Sequence, residues 1–221
     1  MQWILIIISM LIALGVTLYM KSTEKKYKEV KNQSGLTGAE AARKMLEANN
    51  IFNVQVEMLN ADDGDHFDPA TNTIRLSKDY FNGTSVAAVG VAMHEAGHAL
   101  QHASGYAPLQ IRSAAVRTTN ASSMISYILI LLGVIFSSYA LITIGIWFFV
   151  AVVAFQLITL PVEFNASRRA VMSMQNMGIL TAEEQKGARK VLTAAALTYV
   201  AALLISVLQL IRLLLIRGSR E

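Results

Sequence analysis

Long apolar runs alternate with polar stretches along this chain of 221 residues. The first run, Trp3 to Met20, contains 18 uncharged residues, and a second, between Arg117 and Glu163, contains 45. A third, Val191 to Ile211, contains 21. Because a helix needs about 20 residues to cross a hydrocarbon layer of about 30 Å, the second run suffices for two crossings. The pattern predicts about four transmembrane helices.

The flanks of these runs predict where the spans end. The middle run should break near "GVIFSSYA" into spans of about 120–138 and 140–160, with Pro161 ending the second. The first run is followed at once by the basic stretch "KSTEKKYKEVK". A cleaved signal peptide has the reverse charge order. We therefore expect an uncleaved anchor with its amino terminus outside.

The polar regions contain several short structural signals. Capping boxes at "TGAE" (37–40) and "TAEE" (181–184) predict one helix to about Asn49 and another that continues into the last span. "NVQVEML" and "TNTIRLS" predict two strands, and "NADDGDHFDPA" between them is typical of a turn. "SVAAVGVAM" (85–93) predicts a buried helix that continues through the histidine motif. Gly90 in this stretch and Gly97 just beyond it indicate close backbone approach.

The charge distribution predicts topology and argues against nucleic-acid binding. The net charge is +4, but the basic residues lie next to apolar runs and form no basic and aromatic surface. Eleven Lys and Arg fall within 21–119 and five within 163–190, against three, Arg212, Arg217 and Arg220, after the last run. By the positive-inside rule both larger regions are cytoplasmic and the tail is outside.

The stretch "VAMHEAGHALQHASG" carries the candidate chemistry. On a helix His94 and His98 share one face and could bind one ion. The chain has no cysteine, so thiolate ligands are excluded and zinc bound by imidazole and carboxylate is the expected cofactor. Zinc activates water for attack on a peptide carbonyl, and Glu95 is placed to act as general base and then acid.

Two residues are candidates for the third ligand. His102 continues the four-residue series, but on a straight helix it lies about 6 Å of rise beyond His98, and no glycine turn bends the chain back. Glu163 is the first charged residue after the apolar hairpin, which returns it to the side of the metal helix. We favour Glu163. Alternatively, Glu163 forms an interfacial ion pair. The alternative role of His102 is an ordinary polar position or a supporting position beside the ligands.

The motifs "MHEAGHALQH", "DHFDPATNTIRLS" and "PVEFNASRRA" together resemble the bacterial membrane-bound neutral zinc metallopeptidases of the YugP type. The resemblance implies a membrane zinc peptidase with His94 and His98 as ligands and Glu95 as the catalytic glutamate. A more distant similarity is to the HtpX and CAAX prenyl endoproteases, which are gluzincin-like. Their Glu-x-x-x-Asp motif matches at Glu163, which supports its ligand role, and departs at its fifth position, where Ser167 replaces the aspartate.

Further residues are weighed for supporting roles. Peptidases of this kind bind substrate along a sheet edge, and the predicted edge strand or structural hairpin consists of Thr73, Ile74, Arg75 and Leu76. Supporting or transition-state donors are sought among His102, Tyr106, Asn165, Ser167 and Arg168. The loop with Asp62, Asp63, Asp65, His66 and Asp68 lacks the spacing of a calcium site and is interpreted as a turn.

The sequence thus predicts a mainly α-helical integral membrane protein with a zincin-like metal helix and a small β-strand pair. Its expected segments are an anchor (1–20), a cytoplasmic zincin-like region (21–119), a transmembrane hairpin (120–162), a ligand-supplying polar segment (163–190) and a last span with a basic tail (191–221). The predicted function is zinc-dependent endopeptidase action at the bacterial cytoplasmic membrane. The expected substrates are proteins or peptides, and membrane proteins are candidates among them. A non-catalytic scaffold or regulator with structural zinc is the alternative, and a zinc transporter is disfavoured because the spans contain no ionisable residue.

Overall fold

The computed structural model describes residues 2–59 and 64–218, which are mostly helical. The described residues form helices and strands in the order α1 Gln2–Glu29, α2 Gly38–Ala48, β1 Gln55–Met58, β2 His66–Asp68, β3 Thr73–Leu76, α3 Lys78–Phe81, α4 Val86–Ala103, α5 Ala107–Ile135, α6 Tyr139–Met177 and α7 Ala182–Gly218. Four helices, α1, α5, α6 and α7, are long and apolar enough to cross a membrane. The predicted helical membrane protein is confirmed.

The predicted break in the apolar hairpin is also confirmed. Helix α5 ends at Ile135 and α6 begins at Tyr139, with Ser137 between them in a left-handed conformation at φ 52°. Pro161 does not end α6, which runs on to Met177. A proline inside a helix removes one backbone donor and crowds the preceding turn. This helix nevertheless continues, so Glu163 lies within it.

Both predicted capping boxes are present at the starts of α2 and α7. The Thr37 hydroxyl accepts from the Glu40 amide at 3.2 Å, and Glu40 accepts from the Thr37 amide at 2.8 Å. Thr181 and Glu184 make the same reciprocal pair at 3.4 and 2.7 Å. These bonds satisfy amides that a helix start leaves without partners, which is why the short sequence signals located both helix starts.

The chain divides into two compact units. The first includes Gln110–Pro161, where α5 and α6 approach closely at small residues: the Ser126 hydroxyl donates to the Gly145 carbonyl at 2.8 Å. Small residues at such contacts are typical of membrane helix pairs. The second unit contains Leu18–Leu109 and Val162–Ala196, and every predicted zinc ligand lies in it.

The second unit contains a three-stranded sheet in the order β1-β3-β2, with β1 parallel and β2 antiparallel to β3. The two predicted strands are present as β1 and β3. Strand β2 was missed because it lies within the stretch predicted as a turn, and its three residues are too few to show alternation. The prediction that Thr73–Leu76 is an edge strand is wrong, since β3 is paired on both sides and β1 and β2 form the two edges; its alternative, a hairpin, is present as the antiparallel pair of β2 and β3.

The described carboxylates around β2 are bound by the protein's own donors, as the turn interpretation expects. Asp65 accepts from the Ser77 amide at 2.6 Å. Asp68 accepts from the Thr71 hydroxyl at 2.8 Å and from Arg75 Nη1 at 3.0 Å, and these two contacts lower the pKa of its carboxyl to about 2. Asp62 and Asp63 lie outside the described residues.

Helix α4 forms the centre of the second unit, and most of its residues are buried. Its apolar side chains pack with those of α2, α6 and α7, represented by Met45, Met174 and Leu192. At Gly97 the approach to α6 is closest, since a Cβ added there would lie 2.5 Å from the Ala166 carbonyl oxygen. Gly90 has more room, with Ala188 Cβ at 3.6 Å. The predicted close backbone approach is therefore confirmed at Gly97, where a methyl group would not fit, whereas at Gly90 an added Cβ would make ordinary van der Waals contact with Ala188.

The two glycines give a matched pair of variants. Gly97→Ala should push α4 away from the α6 backbone and destabilise the protein by about 1–3 kcal/mol, as overpacking does. Gly90→Ala should leave stability unchanged or raise it by up to about 1 kcal/mol, because alanine is the better helix residue. Apparent melting temperatures of the full chain in detergent measure both effects. Equal melting temperatures for Gly97→Ala and the wild type would contradict the close contact.

Candidate metal centre

Helix α4 presents the two motif histidines to the same side. His94 and His98 are one turn apart, and their ring centroids lie 4.8 Å from each other with the rings nearly perpendicular. His98 is buried and His94 is partly accessible. Two imidazoles at this separation on one helix face can direct their nitrogens to one point.

Glu163 of α6 meets both histidines. Its Oε2 lies 3.2 Å from His94 Nε2 and 3.6 Å from His98 Nε2, and its side chain is 2% exposed. The potential ligand atoms of these three residues all lie within 4.8 Å of one another. The chain thus brings together two residues of one helix and a third that is 65 positions further along the sequence than His98.

The donor set and its spacing fit a zinc ion. Tetrahedral zinc with bonds of about 2.0–2.2 Å to nitrogen and oxygen holds its ligand atoms roughly 3.4 Å apart. The two distances from Glu163 Oε2, 3.2 and 3.6 Å, lie on either side of this value. Two neutral imidazoles and one carboxylate also leave one position of a tetrahedral ion for water, as catalytic zinc sites do.

Each histidine is bonded through Nδ1 to a supporting side chain. Gln101 Oε1 lies 2.9 Å from His98 Nδ1, and Ser167 Oγ lies 3.1 Å from His94 Nδ1. The amide group of Gln101 is oriented by its Nε2, which donates to the Val162 carbonyl at 2.8 Å. Its oxygen must then accept from His98 Nδ1–H, which leaves the His98 Nε2 lone pair for a metal.

Gln101 is the residue that sequence reasoning missed. It is 0% exposed, and besides the two bonds above it donates to Asn165 Oδ1 at 3.0 Å. Asn165 also accepts from Arg169 Nε at 2.8 Å. A polar residue three positions after His98, on the helix face that carries both histidines, was the available signal. The prediction that Asn165 and Ser167 lie near the site is consistent with these contacts.

Glu95 lies on the same turn of α4 and contacts the sheet. Its Oε2 accepts from the Phe67 amide of β2 at 2.9 Å, and its side chain is buried. Burial raises the pKa of the Glu95 carboxyl above its ordinary value, although the neighbouring histidines oppose this shift. A buried carboxylate held by one amide is therefore fixed beside the potential ligands, and it takes up a proton more readily than an exposed glutamate.

The other predicted residues make contacts of a different kind. The ring of His102, which is exposed, packs on Phe67 at 5.7 Å between centroids. Among the described residues, the group that could hold an ion includes Glu163 and does not include His102. The Tyr106 amide donates to the Gln101 carbonyl just beyond the end of α4. Arg168 lines a cavity that also contains Ser167.

Four membrane-length helices and a group of two histidines and a glutamate that could hold a metal ion are the features expected of a membrane metalloprotein. The family model described as "Putative neutral zinc metallopeptidase" matches residues 2–218, and the chain belongs to that family. The chain is 44% identical over 208 residues to the "Putative membrane protease YugP" of Bacillus subtilis strain 168, covering 92% of each chain. No solved structure matches.

Variants of Ser167 test whether its hydroxyl supports His94 as a metal ligand. Ser167→Ala removes the acceptor at His94 Nδ1, and loss of such a supporting bond lowers metal affinity by about tenfold or more. Ser167→Asp supplies a stronger acceptor and should retain or raise the affinity. Chelator competition for zinc on the purified full chain measures the difference. Ser104→Ala, a matched change at the end of α4, should have no effect, and an unchanged affinity in Ser167→Ala would contradict the role of the hydroxyl.

Proposed function

We propose that this protein is a membrane-bound zinc endopeptidase in which His94, His98 and Glu163 hold the metal and Glu95 moves the proton. The observation that carries the proposal is the meeting of the Glu163 carboxylate with both motif histidines beside a second buried carboxyl group, that of Glu95. Two histidines and a glutamate are the ligand set of the gluzincin-like proteases that the sequence resembles, which supports the proposal. Membership of the zinc metallopeptidase family supports the same chemistry.

Zinc, when bound, lowers the pKa of water and polarises the peptide carbonyl. The protein's part is to position the reacting groups. Gln101 and Ser167 orient the two histidines, and the Phe67 amide holds the Glu95 carboxylate beside them. Glu95 takes a proton from the attacking water and passes it to the amine that leaves when the peptide bond breaks. It therefore ends the cycle as it began, ionised.

A peptide substrate would lie along β2, the edge strand that contacts Glu95. The sequence pattern alone predicts this role for β3. Extended peptides add to an exposed strand through main-chain hydrogen bonds, and β2 has β3 on one side only. Since the Phe67 amide already binds Glu95, a peptide aligned with β2 would pass near the proposed proton acceptor. Arg168 and Tyr106 remain the candidate donors to the developing oxyanion.

The basic residues support a cytoplasmic position for this site at the bacterial inner membrane. Of the two regions that supply the proposed ligands, 21–119 contains eleven Lys and Arg residues and 163–190 contains five. By the positive-inside rule such flanks stay in the cytoplasm. The substrates we propose are proteins or peptides at the membrane surface, membrane proteins among them.

Glu95→Gln tests the proton role. The amide oxygen of glutamine can still accept from the Phe67 amide, so the fold and bound zinc should be retained. Without a carboxylate to take the proton, peptide cleavage should fall by at least about a hundredfold. Cleavage is measured on the purified full chain in detergent with an unstructured protein substrate, and zinc by elemental analysis. Comparison of membrane proteomes from wild-type and variant cells then identifies natural substrates.

Two outcomes would contradict this assignment. Undiminished cleavage by Glu95→Gln with zinc bound would remove Glu95 from the mechanism. Zinc binding by the wild type with no cleavage of any substrate, in the purified protein and in cells, would favour a non-catalytic scaffold with structural zinc. Glu47→Gln, at an exposed position on α2, is the matched control and should behave as the wild type.

Glu163→Ala tests the third ligand. Removing this carboxylate leaves two histidines, so the zinc content of the purified protein should fall from one ion per chain to well below one. His102→Ala should keep its zinc, because His102 packs on Phe67 away from the ligand group. Elemental analysis of both variants, with melting temperatures to verify folding, makes the comparison. The reverse pattern would show that His102 is the ligand.

A further inference from the structure

A cavity of about 400 Å³ in the second unit lies between the part of α6 after Pro161 and the start of the last apolar run in α7. Its walls combine two arginines with large apolar side chains, chiefly Phe164, Arg168, Val171, Met172, Arg189 and Leu192. The catalytic scheme above gives roles to two lining residues, Ser167 and Arg168, but it leaves the cavity itself without a ligand. A cavity with cationic and apolar walls suits a ligand that is itself amphipathic.

The two arginines are available for an anion. Arg168 and Arg189 are exposed, and within residues 2–59 and 64–218 neither has a carboxylate partner. By contrast, Arg75 is paired with Asp68 and Arg169 is bonded to Asn165. Guanidinium groups present a planar fork that matches the oxygens of a phosphate. Two of them in one cavity repel each other until an anion lies between them.

The apolar wall and the position along the helices indicate that this anion carries a hydrocarbon chain. Phe164 is 50% exposed and Met172 49% exposed, although both are large and apolar. Phe164 is the second residue after the 45-residue uncharged run, and Leu192 is the second residue of the run Val191–Ile211. The cavity is thus built from residues at the ends of two predicted spans, where the headgroups of a bilayer are found.

We propose that this cavity binds an anionic phospholipid. The headgroup phosphate lies between Arg168 and Arg189, and the upper part of an acyl chain lies on Phe164, Val171 and Met172. Basic pockets beside transmembrane helices on the cytoplasmic side are suited to anionic headgroups. A free phosphate would gain nothing from the apolar wall, and a neutral phospholipid would gain little from two arginines.

This lipid site adjoins the candidate metal centre. Ser167 lines the cavity, and its hydroxyl lies 3.1 Å from His94 Nδ1. The proposal does not rest on catalysis, however, because it follows from the charges and shape of the cavity. Its test accordingly measures bound lipid, so that it can fail or succeed independently of the peptidase proposal.

Native mass spectrometry of the full chain in an uncharged detergent measures the binding. Phosphatidylglycerol and phosphatidylcholine with identical acyl chains are added separately, and inorganic phosphate is added as a competitor. We expect phosphatidylglycerol to bind about tenfold more tightly than phosphatidylcholine, as two basic contacts should provide. Phosphate at equal concentration should not displace it, because phosphate lacks the acyl chain.

Variants locate the binding within the cavity. Arg168→Gln combined with Arg189→Gln should abolish the preference for phosphatidylglycerol. Thr193→Trp should weaken binding of both lipids without a change of charge, because Thr193 lines the cavity and the indole would fill it. Lys44→Gln combined with Lys190→Gln is the matched control: it removes two exposed charges that do not line the cavity, and the preference should remain.

Three results would overturn the proposal. Equal binding of the two lipids by the wild type would show that no anionic headgroup is recognised. A preference that survives in the double arginine variant, or disappears equally in the lysine control, would place the effect elsewhere on the protein. Displacement of the lipid by equimolar phosphate would show that the cavity is a site for free anions.

Discussion

The contact of α4 with α6 at Gly97 is the constraint on which the candidate metal centre depends. Gly97 lies between His94 and His98 on α4, and Ala166 lies between Glu163 and Ser167 on α6. Because a methyl group would not fit between Gly97 and the Ala166 carbonyl, the two backbones can approach closely enough for the side chains on either side to meet. One small residue thus sets the spacing of four polar side chains.

Buried polar groups then fix the arrangement that the close approach permits. Gln101 joins the two helices twice, through the Val162 carbonyl and Asn165, while its oxygen orients His98. A buried amide that lost one of these partners would be left unsatisfied at a cost of about 1–3 kcal/mol. The same network therefore stabilises the helix pair and selects the histidine nitrogen that faces Glu163. A substitution of Gln101 would therefore affect the packing of the two helices and the orientation of His98 together.

The sequence predicted correctly those features that depend on one continuous segment of the chain. Hydrophobic length located four helices, reciprocal Thr and Glu pairs located two helix starts, and the spacing of His94 and His98 located one side of the site. It missed one very short strand and one residue with distant partners, whereas Glu163 could be favoured across a similar distance because the apolar hairpin returns it to the metal helix. Strand β2 contains only three residues, and the central position of β3 depends on that strand. The bonds of Gln101 depend on residues 61 and 64 positions away.

Ser167 alters the electrostatics of the centre as well as its geometry. At this position the distantly similar proteases have an aspartate, which would add a negative charge next to His94. With a neutral hydroxyl there, two imidazoles and one carboxylate would face a zinc ion bound at this centre, which would then have a net charge of about +1. A less neutralised ion attracts electron density more strongly, which favours ionisation of water, whereas a weaker acceptor makes the histidine a less basic ligand. In the proposed zinc centre the serine would therefore exchange metal affinity for a more electrophilic ion, and the buried Glu95 would be the adjacent group able to receive a proton.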